Sequence, residues 1–197
     1  MNFDYIMNAK PKNVELQKLY QALYQDIENA EKIYWSEPQK CGMLLRKATQ
    51  KICEIYSCYY EIDFAENSFL EDYLCYTEDD NHNVLVSRFL SSVRQEQRDR
   101  LEWLRVWGDE CIFMEENPEE IAKSEDKLYL NVKKMMTHMI EVTREMCERL
   151  NGMEGLEKKI FDERILPGYL TEEERMELEE KRKKEEKRGL FSFLKKK

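Results

Sequence analysis

Residues that break helices are scarce in this chain: 197 residues include only six glycines and four prolines. Beside abundant Leu, Glu, Lys, Met and Gln, that scarcity points to helices. Short β-branched runs bounded by turn signals are equally few, which argues against a sheet. Histidine occurs twice, as His82 and His138. No CxxC pair occurs among Cys41, Cys53, Cys58, Cys75, Cys111 and Cys147. Thiols so scattered, several on apolar helix faces, read as small reduced core residues; a disulfide framework or zinc site is disfavoured. No stretch approaches the length of a membrane span. The opening MNFDYIMNAK has neither the basic region nor the long apolar run of a signal peptide. No Gly-rich phosphate loop, GxSxG elbow, HExxH or EF-hand pattern is present. These absences describe a cytoplasmic protein with no metal and no cofactor.

What is present is charge and helical period. The net charge is −9. Residues 171–197 carry ten basic and eight acidic side chains, which leaves 22 and 33 on residues 1–170, a net −11. So acidic a body argues against broad nucleic-acid binding across its surface. From Ser36 to Tyr60, apolar Cys41, Leu44, Leu45, Ala48, Ile52, Ile55, Tyr56 and Tyr59 recur at steps of three and four. That is one broad face of a helix, and Ser36 with Gln39 has capping-box spacing at its start. A second stripe, from Leu16 to Tyr34, precedes it, and the Ser36-Glu37-Pro38 break makes the two helices antiparallel neighbours.

Further along, Phe69, Leu70, Tyr73 and Leu74 mark a short helix, and TEDDNHN at 77–83 reads as a loop. Val84 to Phe113 is one long helix or two with a bend. Asn117-Pro118 starts another helix with Asn117 as its cap. A Met-rich, nearly heptad stripe from Leu128 to Leu150 ends at Asn151-Gly152, a left-handed stop. Thr171 with Glu174 caps a last helix held by Glu-to-Lys pairs and lacking an apolar stripe. The fold class is therefore all-α, a helical bundle of five or six helices with a projecting charged C-terminal helix. Its divisions are 1–10, an N-terminal arm; 11–165, the helical domain; and 166–197, the charged helix and a basic, apolar tail.

Two stretches carry a family resemblance. One is Leu45-Arg46-Lys47-Ala48 after the Trp35-Ser36-Glu37-Pro38 break; the other is Leu104-Arg105-Val106-Trp107-Gly108-Asp109-Glu110-Cys111-Ile112-Phe113. Together they resemble a helical bacterial domain family of unknown function, often fused ahead of restriction-helicase subunits and similar in turn to HEPN domains. The resemblance covers roughly residues 14–150 in element order, on about a dozen positions. It places Arg46 at the family's helix-two arginine and matches Arg105 and Gly108 to a later IRxxGNxAxH-like segment. Asp109 stands where asparagine is usual, Gln50 where an acid is commoner, and Phe113 where active HEPN ribonucleases have histidine. Those enzymes are thought to bind phosphate with arginine and move the proton with histidine. A benzyl ring has no titratable group and no lone pair, so Phe113 does neither.

The resemblance implies a non-enzymatic, HEPN-like binding or adaptor module, linked to defence or nucleic-acid processing. Its partners would be another protein, a second copy of itself or RNA. The alternative is an active RNA-cleaving ribonuclease with a non-standard base, for which Arg105 and His138 are the catalytic candidates. The residues also carry a structural reading. Asp109 lies one turn beyond Arg105, and a drawn-in Arg46 needs an acid. Arg46, Asp109 and Arg105 are therefore expected to share one cluster, beside Gly108 and Phe113. His82 with Asp79 and Asp80 reads as a solvated loop before it reads as a metal site. In the tail, Leu190, Phe191, Phe193, Leu194, Lys195, Lys196 and Lys197 suit disorder, a partner's groove, or weak contact with an anionic membrane. The last makes a membrane-peripheral scaffold a third reading.

Overall fold

The apolar stripe centred on Ile52 becomes the long helix against which most of the others pack. A computed structural model describes residues 1–171, 173–174, 176–177 and 181, leaving aside the side chains of 115–116 and 118–126. Among the described residues there are six α-helices and no strand: α1 Val14–Ile33, α2 Pro38–Tyr59, α3 Leu70–Leu74, α4 Asp80–Ser92, α5 Gln95–Glu116 and α6 Pro118–Asn151. The class is all-α. The chain divides into two compact units, Met1–Pro167 and Gly168–Lys197. No helix among the described residues is long and apolar enough to cross a membrane.

In the first unit α2 packs on α1, α5 and α6 and buries Cys41, Leu45, Ala48, Ile52, Ile55 and Tyr56. Two glycines set how closely α2 and α5 approach. A Cβ on Gly108 would lie 2.6 Å from Arg46 Cγ and closer still to Arg46 Cβ. A Cβ on Gly42 would collide with the Cys111 side chain. Each helix thus offers a bare backbone where the other brings a side chain. The neutral thiol fits this apolar crossing, and burial pushes Cys111 up to about 12.

Several local starts differ from the sequence expectation. Pro38 occupies the first turn of α2 with Glu37 at the N-cap, a position where its missing N–H costs nothing. The Ser36–Gln39 box is therefore not made: Ser36 Oγ donates to the Ile33 carbonyl at 3.4 Å, and Gln39 Nε2 reaches Cys111 O in α5 at 3.1 Å. The segment 77–83 is only partly loop, because Asp79 accepts from Asn81 N at 2.9 Å and starts α4 at Asp80. Extended Val93 and Arg94 divide α4 from α5. Asn117 makes no side-chain cap for α6; its Nδ2 donates back to Phe113 O at 2.8 Å and closes α5. Gly152, at φ 62°, stops α6 in the left-handed conformation that Asn151-Gly152 announced.

The first ten residues are not an arm. Asp4–Asn8 form a 3-10 turn, and Phe3, Tyr5 and Ile6 are buried in the core. A turn of five residues is too short to display a period, so Tyr5 and Ile6 within it and Phe3 beside it gave no signal. Asn2 latches the segment: its N and Nδ2 donate to Glu31 Oε1 at 2.9 and 2.8 Å, and its Oδ1 accepts from Asp162 N at 2.8 Å.

Glu31 is itself buried, and its Oε2 has no hydrogen-bond partner. Burial raises its pKa, with the Asn2 bonds opposing. A carboxyl raised on folding binds its proton more tightly in the native state. Its contribution to stability is then present below the unfolded-state pKa and lost as pH rises through the folded-state value. Glu31→Gln is expected to remove that loss. Its melting temperature relative to the parent should climb as pH rises above the ordinary glutamate range of about 4.3, as read by thermal melts at a series of pH values.

In the second unit Thr171 and Glu174 form the expected capping box: Thr171 N donates to Glu174 Oε2 at 2.8 Å and Glu174 N to Thr171 Oγ1 at 3.3 Å. The projection of the charged helix and the tail from Leu190 to Lys197 lie outside the described residues.

Candidate functional site

The face of α5 opposite its tryptophans carries the residues that the family resemblance singles out. Arg46 and Arg105 leave α2 and α5 where Gly108 lets the helices close together, and both are largely buried at 18 % side-chain exposure. Asp109 bridges them. Its Oδ1 accepts from Arg46 Nε at 2.5 Å and its Oδ2 from Arg105 NH1 at 3.0 Å. Asparagine here would offer one oxygen and turn an NH₂ toward a guanidinium, so an aspartate suits two arginines better.

Two further acids close the group. Glu71, from α3, accepts from Arg46 NH2 at 2.6 Å and lies 3.9 Å from Arg105 NH1. Glu102 takes Arg105 Nε and NH2 at 2.9 and 2.6 Å. This fork raises the Arg105 pKa, the Glu102 bond being the largest cause. Two guanidiniums thus face three carboxylates, a local excess of one negative charge. All three acids are at least a third exposed, so solvent screens the network and its worth to stability is modest. Its chemical effect is larger, because a phosphate would have to displace carboxylates already seated on the guanidinium forks. Gln50, two positions beyond the LRKA run, donates to Glu54 Oε1 at 3.1 Å and to Ser68 O at 3.2 Å, tying α2 to the segment before α3.

Phe113 points outward from the end of α5 and is 54 % exposed. It puts an apolar ring on the surface at the position where the resemblance would place a proton carrier.

His138 belongs to a different place. At about 100° per residue, Arg105 and Asp109 lie roughly 120–180° around α5 from Arg100 and Trp103, and His138 sits beside that second pair. Its ring is 4.9 Å from the Trp103 ring, edge to face, and its Nδ1 is 3.3 Å from Glu141 Oε2. Arg100 Nε donates to the same Glu141 oxygen at 2.7 Å. A hollow of about 310 Å³ opens here between Glu96, Asp99, Arg100, Trp103 and His138. Burial lowers the His138 pKa, outweighing the Glu141 contact that raises it. The two catalytic candidates, Arg105 and His138, are therefore not brought together.

His82 lies in the first turn of α4, half-buried and 6.1 Å from the Phe64 ring, so it is a packed side chain and not a solvated loop residue. Among the described residues no group of three or more His, Cys, Asp or Glu is placed to hold a metal ion, and all six cysteines are free thiols.

Neither Glu102 nor Glu71 is among the residues expected from the sequence; Glu102 was open to detection as the residue three before Arg105 on one helix face. Glu71 was not, since nothing in the spacing ties α3 to α5. No family model, curated protein or solved structure matches the chain.

Proposed function

We propose that this protein is a non-catalytic helical binding module, in which the HEPN-like arginine pair holds α2, α3 and α5 together instead of handling RNA phosphate. The observation that carries this reading is the closed network in which Arg46 and Arg105 are taken up by Asp109, Glu71 and Glu102. Exposed Phe113 supports it, since that position supplies no proton carrier. Its partner would be a protein or a second copy of the chain, and the resemblance points to a defence or nucleic-acid processing setting.

A second reading, RNA cleavage through His138, draws support from the Glu141 contact that orients the imidazole and from Arg100 beside it. One assay separates the two. The full chain is incubated with mixed single-stranded RNA beside Arg105→Ala, His138→Ala and Phe113→His variants. The binding-module reading expects no cleavage by any of the four. Cleavage by the unaltered chain that disappears in Arg105→Ala would overturn it. Cleavage lost only in His138→Ala would establish the second reading in its place. A Phe113→His variant that gains Arg105-dependent activity would mean that the acids do not hold the guanidiniums back.

A further inference from the structure

Away from the network, two arginines line one groove with no carboxylate within ion-pair distance of either. Nine arginines lie among the described residues, and five of them have a carboxylate within ion-pair distance. Of the four that do not, Arg98 and Arg144 lie outside the groove and donate to the backbone carbonyls of Val93 and Glu157, as Arg88 does to that of Glu61. The other two, Arg88 and Arg149, line the same groove of about 680 Å³ between the end of α2, the outer face of α4 and the last turn of α6. In a body with a net charge of −11, two such guanidiniums on one groove are out of keeping with their surroundings.

The groove has the other parts of a small-molecule site. Tyr60, Ile62 and Val84 give it an apolar wall, with Val84 59 % exposed. Arg149 Cζ lies over the Tyr60 ring, 5.8 Å from its centre, within cation–π range, and its N–H groups have no acceptor among the described residues. The C-terminal end of α6 favours that charge, so Arg149 needs no carboxylate to hold it there. Arg88 spends one N–H on the Glu61 carbonyl at 3.3 Å. Ser87 adds a hydroxyl, 3.3 Å from the Tyr76 hydroxyl. Asp80 is the one carboxylate on the lining.

We infer that this groove binds an organic phosphate monoester, its phosphate taken by Arg88 and Arg149 and its apolar body laid along Tyr60 and Val84. A dianion with several acceptor oxygens satisfies two forks at once, which a lone carboxylate does less well. The apolar wall would add affinity that inorganic phosphate cannot claim. The inference is independent of the binding-module reading, because it uses none of the residues of the network.

The test is calorimetric titration of the full chain with phenyl phosphate, beside inorganic phosphate, benzoate and phenol. Phenyl phosphate is expected to bind most tightly. Arg88→Leu and Arg149→Leu should each weaken it about ten-fold or more, the scale of one charge-assisted hydrogen bond. Tyr60→Leu should bring its affinity down toward that of inorganic phosphate. Arg144→Leu removes an equal charge outside the groove and should leave binding unchanged. Helical circular dichroism confirms that each variant folds, and Arg149→Lys, which keeps the charge and loses the fork, gives a milder second probe. No binding of phenyl phosphate, equal weakening by Arg144→Leu, or equal affinity for phenyl phosphate and inorganic phosphate would each overturn the inference.

Discussion

Gly108→Val is expected to destabilise the protein by about 3 kcal/mol, as read from the urea midpoint at unchanged slope. Two effects compete at this position. Valine is a better helix former than glycine by a few tenths of a kcal/mol, which favours the variant. Against this, the first added carbon already falls 2.6 Å from Arg46 Cγ and nearer to Arg46 Cβ. The end of the arginine chain can swing aside, but its Cβ is fixed to α2, so the helices themselves must separate. Overpacking of that kind typically costs about 1–3 kcal/mol, and a branched side chain lies at the upper end or beyond. The variant also carries a local signature: separating α2 from α5 pulls Arg46 from Asp109. Gly108→Ala, with one carbon, should sit between the parent and the valine variant. A valine variant as stable as the parent would mean that the helices do not approach this closely.

Ile52→Ala is expected to cost about 2–5 kcal/mol. Ile52 is fully buried on α2, the helix that packs on α1, α5 and α6. Four carbons shrink to one with little room for neighbours to collapse, so lost transfer energy and a residual cavity add together. Ile52→Val, which removes a single methylene, should cost about 0.5–1.5 kcal/mol. The ordering of the two variants in chemical denaturation checks that α2 is the centre of the core. Substitution of an exposed position such as Leu130, at 67 % exposure, should fall within about 0.5 kcal/mol of the parent.

How much of this was readable from residues alone follows from the physics of each element. The long stripes of α1, α2 and α6 were legible because a three-and-four period sustained over a long stretch fits a helix and little else. The stop at Gly152 and the Thr171–Glu174 box were legible because they are local. The meeting of Arg46, Asp109 and Arg105 could be expected from two rules, the pairing of residues one turn apart and the cost of a buried guanidinium without an acid. Glu71 could not, because it comes from a five-residue helix placed by tertiary packing. The same reason hid Phe3, Tyr5 and Ile6 in the core. Ser36 misled because Pro38 took the first helical position and moved the cap to Glu37. The Arg88–Arg149 groove was invisible in sequence, where the two arginines stand far apart on separate helices.

The central claim is that Arg46 and Arg105 are committed to carboxylates. The most direct measurement is the nuclear magnetic resonance of the arginine Nε–H groups during titration with the same RNA. Arg46 and Arg105 each donate Nε–H to a carboxylate, so their signals should exchange slowly with solvent and stay in place as RNA is added. Signals of Arg46 and Arg105 that exchange quickly and shift together as RNA binds would contradict the account.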